Sequence, residues 1–225
     1  MWWSLTVRKH LYEQLQRRDM GGIAEAARRK RRILGALISL LYDPDPLIGW
    51  RAVEAMGEAA NCIAEDDPDF VREHLRRLYW LISEESGGIC WRAPEAMAEI
   101  VRHRPRQFAD YIPIVAGLIL SLAEEDLDHF KAGILWAIGR LGAEVGDHAR
   151  DVLPAVSSSL NDPDSQVRGL AVWCLGRLGQ PEFLHGRTDL LGDEGAVDLY
   201  EDGALHRVTV GDLVRRTVAD RTSKE

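Results

Sequence analysis

Apolar residues recur along most of this chain at the three-to-four spacing of one helical face. Ile48, Ala52, Ala55, Met56 and Ala59 mark one such face, and Val167, Ala171, Cys174, Leu175 and Leu178 mark another. The two faces occupy equivalent places in a repeated unit. LYDPDPLIGWRAVEAMG, residues 41–57, aligns without a gap with LNDPDSQVRGLAVWCLG, residues 160–176. ISEESGGICWRAPEAMA, ending at Ala98, aligns with the first of these, and the stretch ending in ILWAIG at Gly139 aligns with the last. The successive offsets are 41, 41 and 37 residues.

The alignment brings Asp43, Glu84, Glu125 and Asp162 into one column, and Ala55, Ala96, Ala137 and Cys174 into another. Gly57, Ala98, Gly139 and Gly176 form a column of small residues, as expected where two helices approach closely. Each of the four units therefore predicts a helix, a tight acidic turn and a second helix. The first helices are expected at 33–42, 70–83, 109–123 and 149–160, the second at 47–64, 90–103, 128–145 and 165–179. Asp43-Pro44-Asp45-Pro46 and Asp162-Pro163-Asp164-Ser165 supply cap oxygens, with proline where a helix start has free N–H groups. Pro113 and Pro154 are expected in first turns. A two-helix unit cannot bury its apolar stripe alone, so stacked units share one core.

The string D-P-D-S-Q-V-R-G-L-A-V-W-C-L-G-R-L-G, from Asp162 to Gly179, resembles a HEAT repeat of the short bacterial type also found in phycobilisome lyases. The resemblance is good in the first unit. It is weaker in the middle two, where Ile89-Cys90 and Phe130-Lys131 replace the Val-Arg pair. It implies an all-α fold, a right-handed α-α superhelix of the HEAT/ARM kind over about residues 33–182, used mostly to bind proteins and carrying no shared catalytic residue.

Both ends depart from the repeat. Residues 1–32 read as an N-terminal helical cap, with Leu5, Leu11, Tyr12 and Leu15 inward, Gly21-Gly22 as a break, and Trp2 and Trp3 against the first unit. Residues 183–225 switch period. Val197–Tyr200 and Leu205–Val208 flank an Asp-Gly turn and predict a β-hairpin, and Thr209-Val210-Gly211-Asp212 predicts a helix start. An isolated hairpin is marginal and should dock on the last repeat or on a partner.

Charge is uneven. The chain carries −8 overall, yet residues 1–32 hold nine basic and three acidic side chains, which leaves −14 for the remainder. An acidic body argues against wrapping a nucleic-acid backbone. The run Arg28-Arg29-Lys30-Arg31-Arg32, placed on a helix, would form a basic collar. No stretch has the apolar length of a membrane span, and Met1-Trp2-Trp3 does not resemble a signal peptide, so a cytoplasmic location is expected. Cys62, Cys90 and Cys174 are far apart and suggest neither a disulfide framework nor a zinc site.

Catalytic chemistry finds little support. There is no His-Glu dipeptide of the kind di-iron HEAT-like hydroxylases carry, the seven histidines do not recur at repeat spacing, and phosphate-binding and nucleophile-elbow motifs are absent. No metal, cofactor or enzymatic activity is expected. Tryptophan spacing is more informative. Trp50 and Trp91 share a column, while Trp136 and Trp173 share the column held by Glu54 and Glu95. These positions lie away from the core stripe, on the side expected to line a concave groove. The predicted partner site is therefore Trp50, Glu54, Trp91, Glu95, Trp136 and Trp173 with Arg51 and Arg92 on the rim, against the alternative that the rings fill gaps between helices. The remodelled turn Glu84-Glu85-Ser86-Gly87-Gly88 is a secondary candidate. The expected function is a non-enzymatic scaffold or adaptor for an unknown protein or peptide. Two alternatives stand: a tetrapyrrole or bilin lyase-like chaperone, from the repeat type, and nucleic-acid binding through the basic collar.

Overall fold

The structure, a computed structural model, describes residues 2–82, 90–122 and 128–222, with side chains at the two ends from Thr6 to Ala219. The chain divides into two compact halves, Met1–Tyr111 and Ile112–Glu225. Among the described residues each half is helical apart from one hairpin near the C-terminus. No helix among them is long and apolar enough to cross a membrane.

The N-terminal half is built from helix pairs: α1 (Trp2–Arg17) with α2 (Met20–Arg29), α3 (Ile33–Leu40) with α4 (Pro46–Ile63), and α5 (Pro68–Trp80) with α6 (Ala93–His103). Aspartates start the helices as the turn chemistry predicts. Asp45 accepts the Leu47 N–H at 2.9 Å with Pro46 in the first turn, while Asp43 accepts the Asp45 N–H at 3.1 Å. Asp67 does the same for Phe70 at 3.1 Å ahead of Pro68. Asp19 caps α2 by accepting the Gly22 N–H at 2.8 Å. This moves the break from Gly21-Gly22 to Arg18-Asp19. Gly22 is needed because a Cβ there would lie 2.3 Å from the Asp19 carboxylate.

Residues 1–32 are more than a cap. Ile23 and Ala27 of α2 are buried on α4, and α4 in turn lies on α6. A Cβ on Gly57 would come within 2.7 Å of the His103 ring and 2.9 Å of the Glu99 carbonyl, which explains the small-residue column. Arg51 donates to the Leu15 and Gln16 carbonyls, near the end of α1, at 3.0 and 2.8 Å. Arg92, 41 residues later, donates to the Leu41 carbonyl just past α3 at 3.0 Å. Equivalent arginines thus tie α4 to the end of α1 and the start of α6 to the end of α3, and α1-α2 continues the stack as a further pair. Leu11 and Leu15 are buried as expected and Tyr12 is half-buried; the side chains of Trp2, Trp3 and Leu5 lie outside the described residues.

In the C-terminal half, α7 (Ile112–Gly117) and α8 (Lys131–Leu141) form one pair, and α9 (Ala149–Ser158) and α10 (Ser165–Arg177) the next. The expected helix over 128–145 is divided because Gly142 and Gly146 both adopt a φ of 55°, and a 3-10 segment spans 142–148. Pro154 lies inside α9 rather than in its first turn. Asp164 accepts the Gln166 N–H at 2.9 Å, and Asp162 accepts the Asp164 N–H at 3.0 Å, the same chemistry as at Asp43 and Asp45. Asp162 also takes the Lys131 ammonium at 2.6 Å, a rung between successive pairs.

A Cβ on Gly139 would meet the Trp173 ring at 2.5 Å, so α8 and α10 touch as α4 and α6 do. The stack then continues into the C-terminal segment. After the short α11 (Thr188–Leu191), strands β1 (Ala196–Glu201) and β2 (Ala204–Thr209) pair antiparallel with Glu201 opposite Ala204. Asp202 and Gly203, at φ of 52° and 81°, close the two-residue turn that Asp-Gly predicts. Thr209 and Asp212 exchange bonds of 3.1 Å in a capping box that starts α12 (Val210–Thr222). Thr217 of α12 would meet a Cβ on Gly176 at 2.7 Å, and Val197 of β1 would meet one on Gly169 at 2.3 Å. The hairpin therefore docks on α10, and α12 takes the place of a further second helix.

Candidate functional site

The eight predicted partner-site residues have different fates. Trp136 is 1% exposed and donates its indole N–H to the Tyr200 carbonyl at 3.0 Å. Trp173 is 7% exposed, reaches the Glu201 carboxylate at 3.3 Å, and stacks on Trp136. Strand β1 thus covers both rings, and neither is an open groove anchor. Both rings do lie off the core stripe of their helices, but no repeat consensus announces that a following hairpin returns across that face. Arg140 lies over Trp136 and Arg177 over Trp173, 5.7 and 5.9 Å from the ring centroids, which completes the packing.

Glu54 and Glu95 do not present open carboxylates either. Glu54 holds the Arg18 guanidinium at 2.7 Å. Glu95 is 4% exposed, with Oε2 buried and unpartnered. Burial pushes its carboxyl up to about 7, offset in part by its own backbone N–H and the Arg92 charge. Arg51 and Arg92 spend their guanidinium groups on the carbonyls already named, and Arg92 also lies 5.9 Å from the centroid of the half-buried Trp50. Of the eight, Trp91 alone remains well exposed, at 55%. The Glu84–Gly88 turn lies outside the described residues.

Close to Trp91 along the backbone lie further exposed aromatics that the repeat alignment did not single out. The Cys90 N–H donates to the Leu81 carbonyl at 3.1 Å, which brings Trp91 and Trp80 to adjoining stretches of backbone. The side chains of Tyr42 and Cys90 hydrogen-bond each other, and burial pushes the Tyr42 hydroxyl up to about 12 and the Cys90 thiol to about 11. Trp80 is 58% exposed, and Tyr79 and Tyr42 are 44% and 42% exposed. The signal for this lies in α5, whose core stripe is Val71, Leu75 and Leu78. Tyr79 and Trp80 fall off that stripe and must face elsewhere. The result is an aromatic edge where the chain leaves α3 and α5 and enters α6.

The basic run is not a collar on one helix. α2 ends at Arg29, Lys30 is extended, and α3 begins at Ile33, so the run turns a corner. Arg31 pairs with Asp67 and lies 5.2 Å from the Phe70 centroid, while Arg29, Lys30 and Arg32 face a different cleft.

Two comparisons bear on kinship. A protein of Archaeoglobus fulgidus, described as uncharacterised, is 26% identical over 193 residues, covering 82% of this chain and 94% of its own length. The family model of the HEAT-like repeat matches residues 128–178, the stretch that contains α8, α9 and α10. With the helix–aspartate turn–helix geometry and the small-residue contacts described above, that match identifies residues 128–178 of this chain as HEAT-like repeat.

Proposed function

We propose that the protein is a non-enzymatic scaffold that holds a protein partner on the aromatic edge formed by Tyr42, Tyr79, Trp80 and Trp91. The exposure of these four rings beside one backbone junction carries the reading. Monomeric proteins seldom leave large apolar groups clustered in water, and Trp and Tyr dominate binding energy where they are desolvated by a partner. The scaffold beneath is suited to present them. Trp91 follows a buried cysteine tied by its backbone to Leu81, and Arg92 pins the next residue to the end of α3, so the rings project from fixed backbone. A pre-ordered edge lowers the entropy lost on binding. Because Glu54 and Glu95 are engaged or buried, selection rests on apolar and ring contacts rather than on a basic partner.

The test compares proteins retained from source-cell extract by the unaltered chain, by Trp80→Ala/Trp91→Ala, and by a control altered at two other exposed apolar residues, Leu120→Ala/Phe183→Ala. Loss of a retained protein from the first variant alone, with an unchanged melting temperature, supports the edge. Equal retention by all three chains overturns it.

A further inference from the structure

A second surface of the N-terminal half has a different character. Helices α1, α2 and α3 enclose a cleft of about 880 Å³. Its floor is apolar: Val7 and Leu11 from α1, Ile33 and Ala36 from α3. Gly35 and Ala36 keep it open, since a Cβ on Gly35 would have no neighbour within 4 Å. Arg8, Arg29, Lys30 and Arg32 line the mouth and are exposed. The two carboxylates in the lining are otherwise occupied, Asp19 by the Gly22 N–H and Glu25 by Arg29. Within the lining the Gln14 side chain is 8% exposed, and its Oε1 is buried without a partner. Buried amides are nearly always bonded, and this one belongs to a side chain of the cleft lining, so a polar ligand group that reaches the floor would supply the missing bond.

We propose that this cleft binds an amphiphilic anion, with an apolar body along Val7, Leu11, Ile33 and Ala36 and a carboxylate, sulfonate or phosphate head against Lys30 and Arg32. Three observations converge on that class. The volume falls within the range of small-molecule sites, an apolar floor with a few placed polar groups is their usual make-up, and the cations at the mouth fix the sign of the head. The Gln14 amide can turn either its oxygen or its N–H toward a ligand group near the floor. The chain's acidic remainder makes the placement informative, because positive charge is gathered at a helix junction that borders an apolar cleft. This inference does not depend on the aromatic edge, which uses other residues.

The experiment titrates the full-length protein with an anilinonaphthalene sulfonate dye, an anion with an apolar ring body, and then competes the dye with dodecanoate and with uncharged dodecanol. Saturable binding is expected, displaced by dodecanoate at concentrations about tenfold lower than by dodecanol. Lys30→Gln/Arg32→Gln should weaken the dye by about tenfold, and Ala36→Trp should abolish its binding by filling the floor. Ser39→Trp, at an exposed lining position, serves the same purpose if Ala36→Trp does not fold. Absence of saturable binding, equal displacement by dodecanol, or full binding by a folded filled-cleft variant would each overturn the proposal.

Discussion

The indoles of Trp136 and Trp173 lie nearly parallel, 6.2 Å between centroids and 9° between planes, although 37 residues separate them in the chain. That spacing is one repeat, so the stack is the repeat made visible in two side chains. Both N–H groups then reach the C-terminal hairpin, Trp136 through the Tyr200 carbonyl and Trp173 through the Glu201 carboxylate. The pair therefore joins the repeats to the segment that follows them.

Trp136→Ala should destabilise the protein by roughly 3–5 kcal/mol, since it empties a site that is 1% exposed and removes a buried hydrogen bond to the Tyr200 carbonyl. Trp91→Ala, at 55% exposure, should cost less than about 1 kcal/mol. Urea denaturation of the two variants measures the contrast. Equal losses would mean that the hairpin does not cover Trp136.

Two glycine-to-alanine changes should act in opposite directions. At Gly139 the new methyl would stand 2.5 Å from the Trp173 ring and push α8 from α10, costing roughly 1–3 kcal/mol. At Gly35, inside α3 with open space around it, alanine should stabilise by about 1 kcal/mol through helix propensity. Thermal melts of both chains check the signs.

Stability should depend on pH through Glu95. Its folded carboxyl is raised to about 7 from an ordinary value of 4.5, so the folded state holds the proton more tightly. The contribution is present in full below the unfolded value and is lost as pH rises through the folded one. As pH rises from about 4.5 to 7 stability should therefore fall by on the order of 3 kcal/mol in total, a loss complete above pH 7. Glu95→Gln should remove that slope and be the more stable chain at pH 8. If the Glu95→Gln chain melts with the same pH profile as the unaltered protein, the assignment is ruled out.

Removing residues 1–32 should lower solubility and the melting temperature together, because α2 buries Ile23 and Ala27 on α4 and Arg51 loses its acceptors near the end of α1. Light scattering and a thermal melt of the shortened chain test this. An unchanged melting temperature would show α1 and α2 to be an appendage.

Much of the architecture was legible in the residues themselves. The offsets of 41, 41 and 37 located the helix pairs, Asp45 and Asp164 announced helix starts, Gly57 and Gly139 marked close contacts, and Asp202-Gly203 supplied the hairpin turn. These features depend on residues near one another in the chain, through capping, turn chemistry and 3.6-residue periodicity. The fate of the tryptophan column did not follow from them. Sequence periodicity says which residues leave the core stripe of their own helix, but not whether another segment comes to cover them. Trp136 and Trp173 were claimed by β1, 64 residues from Trp136 at the Tyr200 carbonyl, whereas Trp91 was left in water. The same limit hid the aromatic edge and the basic cleft. Trp80 and Trp91 flank one backbone bond between Cys90 and Leu81, and Arg29, Lys30 and Arg32 line a shared cleft because the chain turns between α2 and α3. Local chemistry decided the elements. Which side chains stayed open to a partner was decided by long-range packing, where burial depends on every segment that comes within reach.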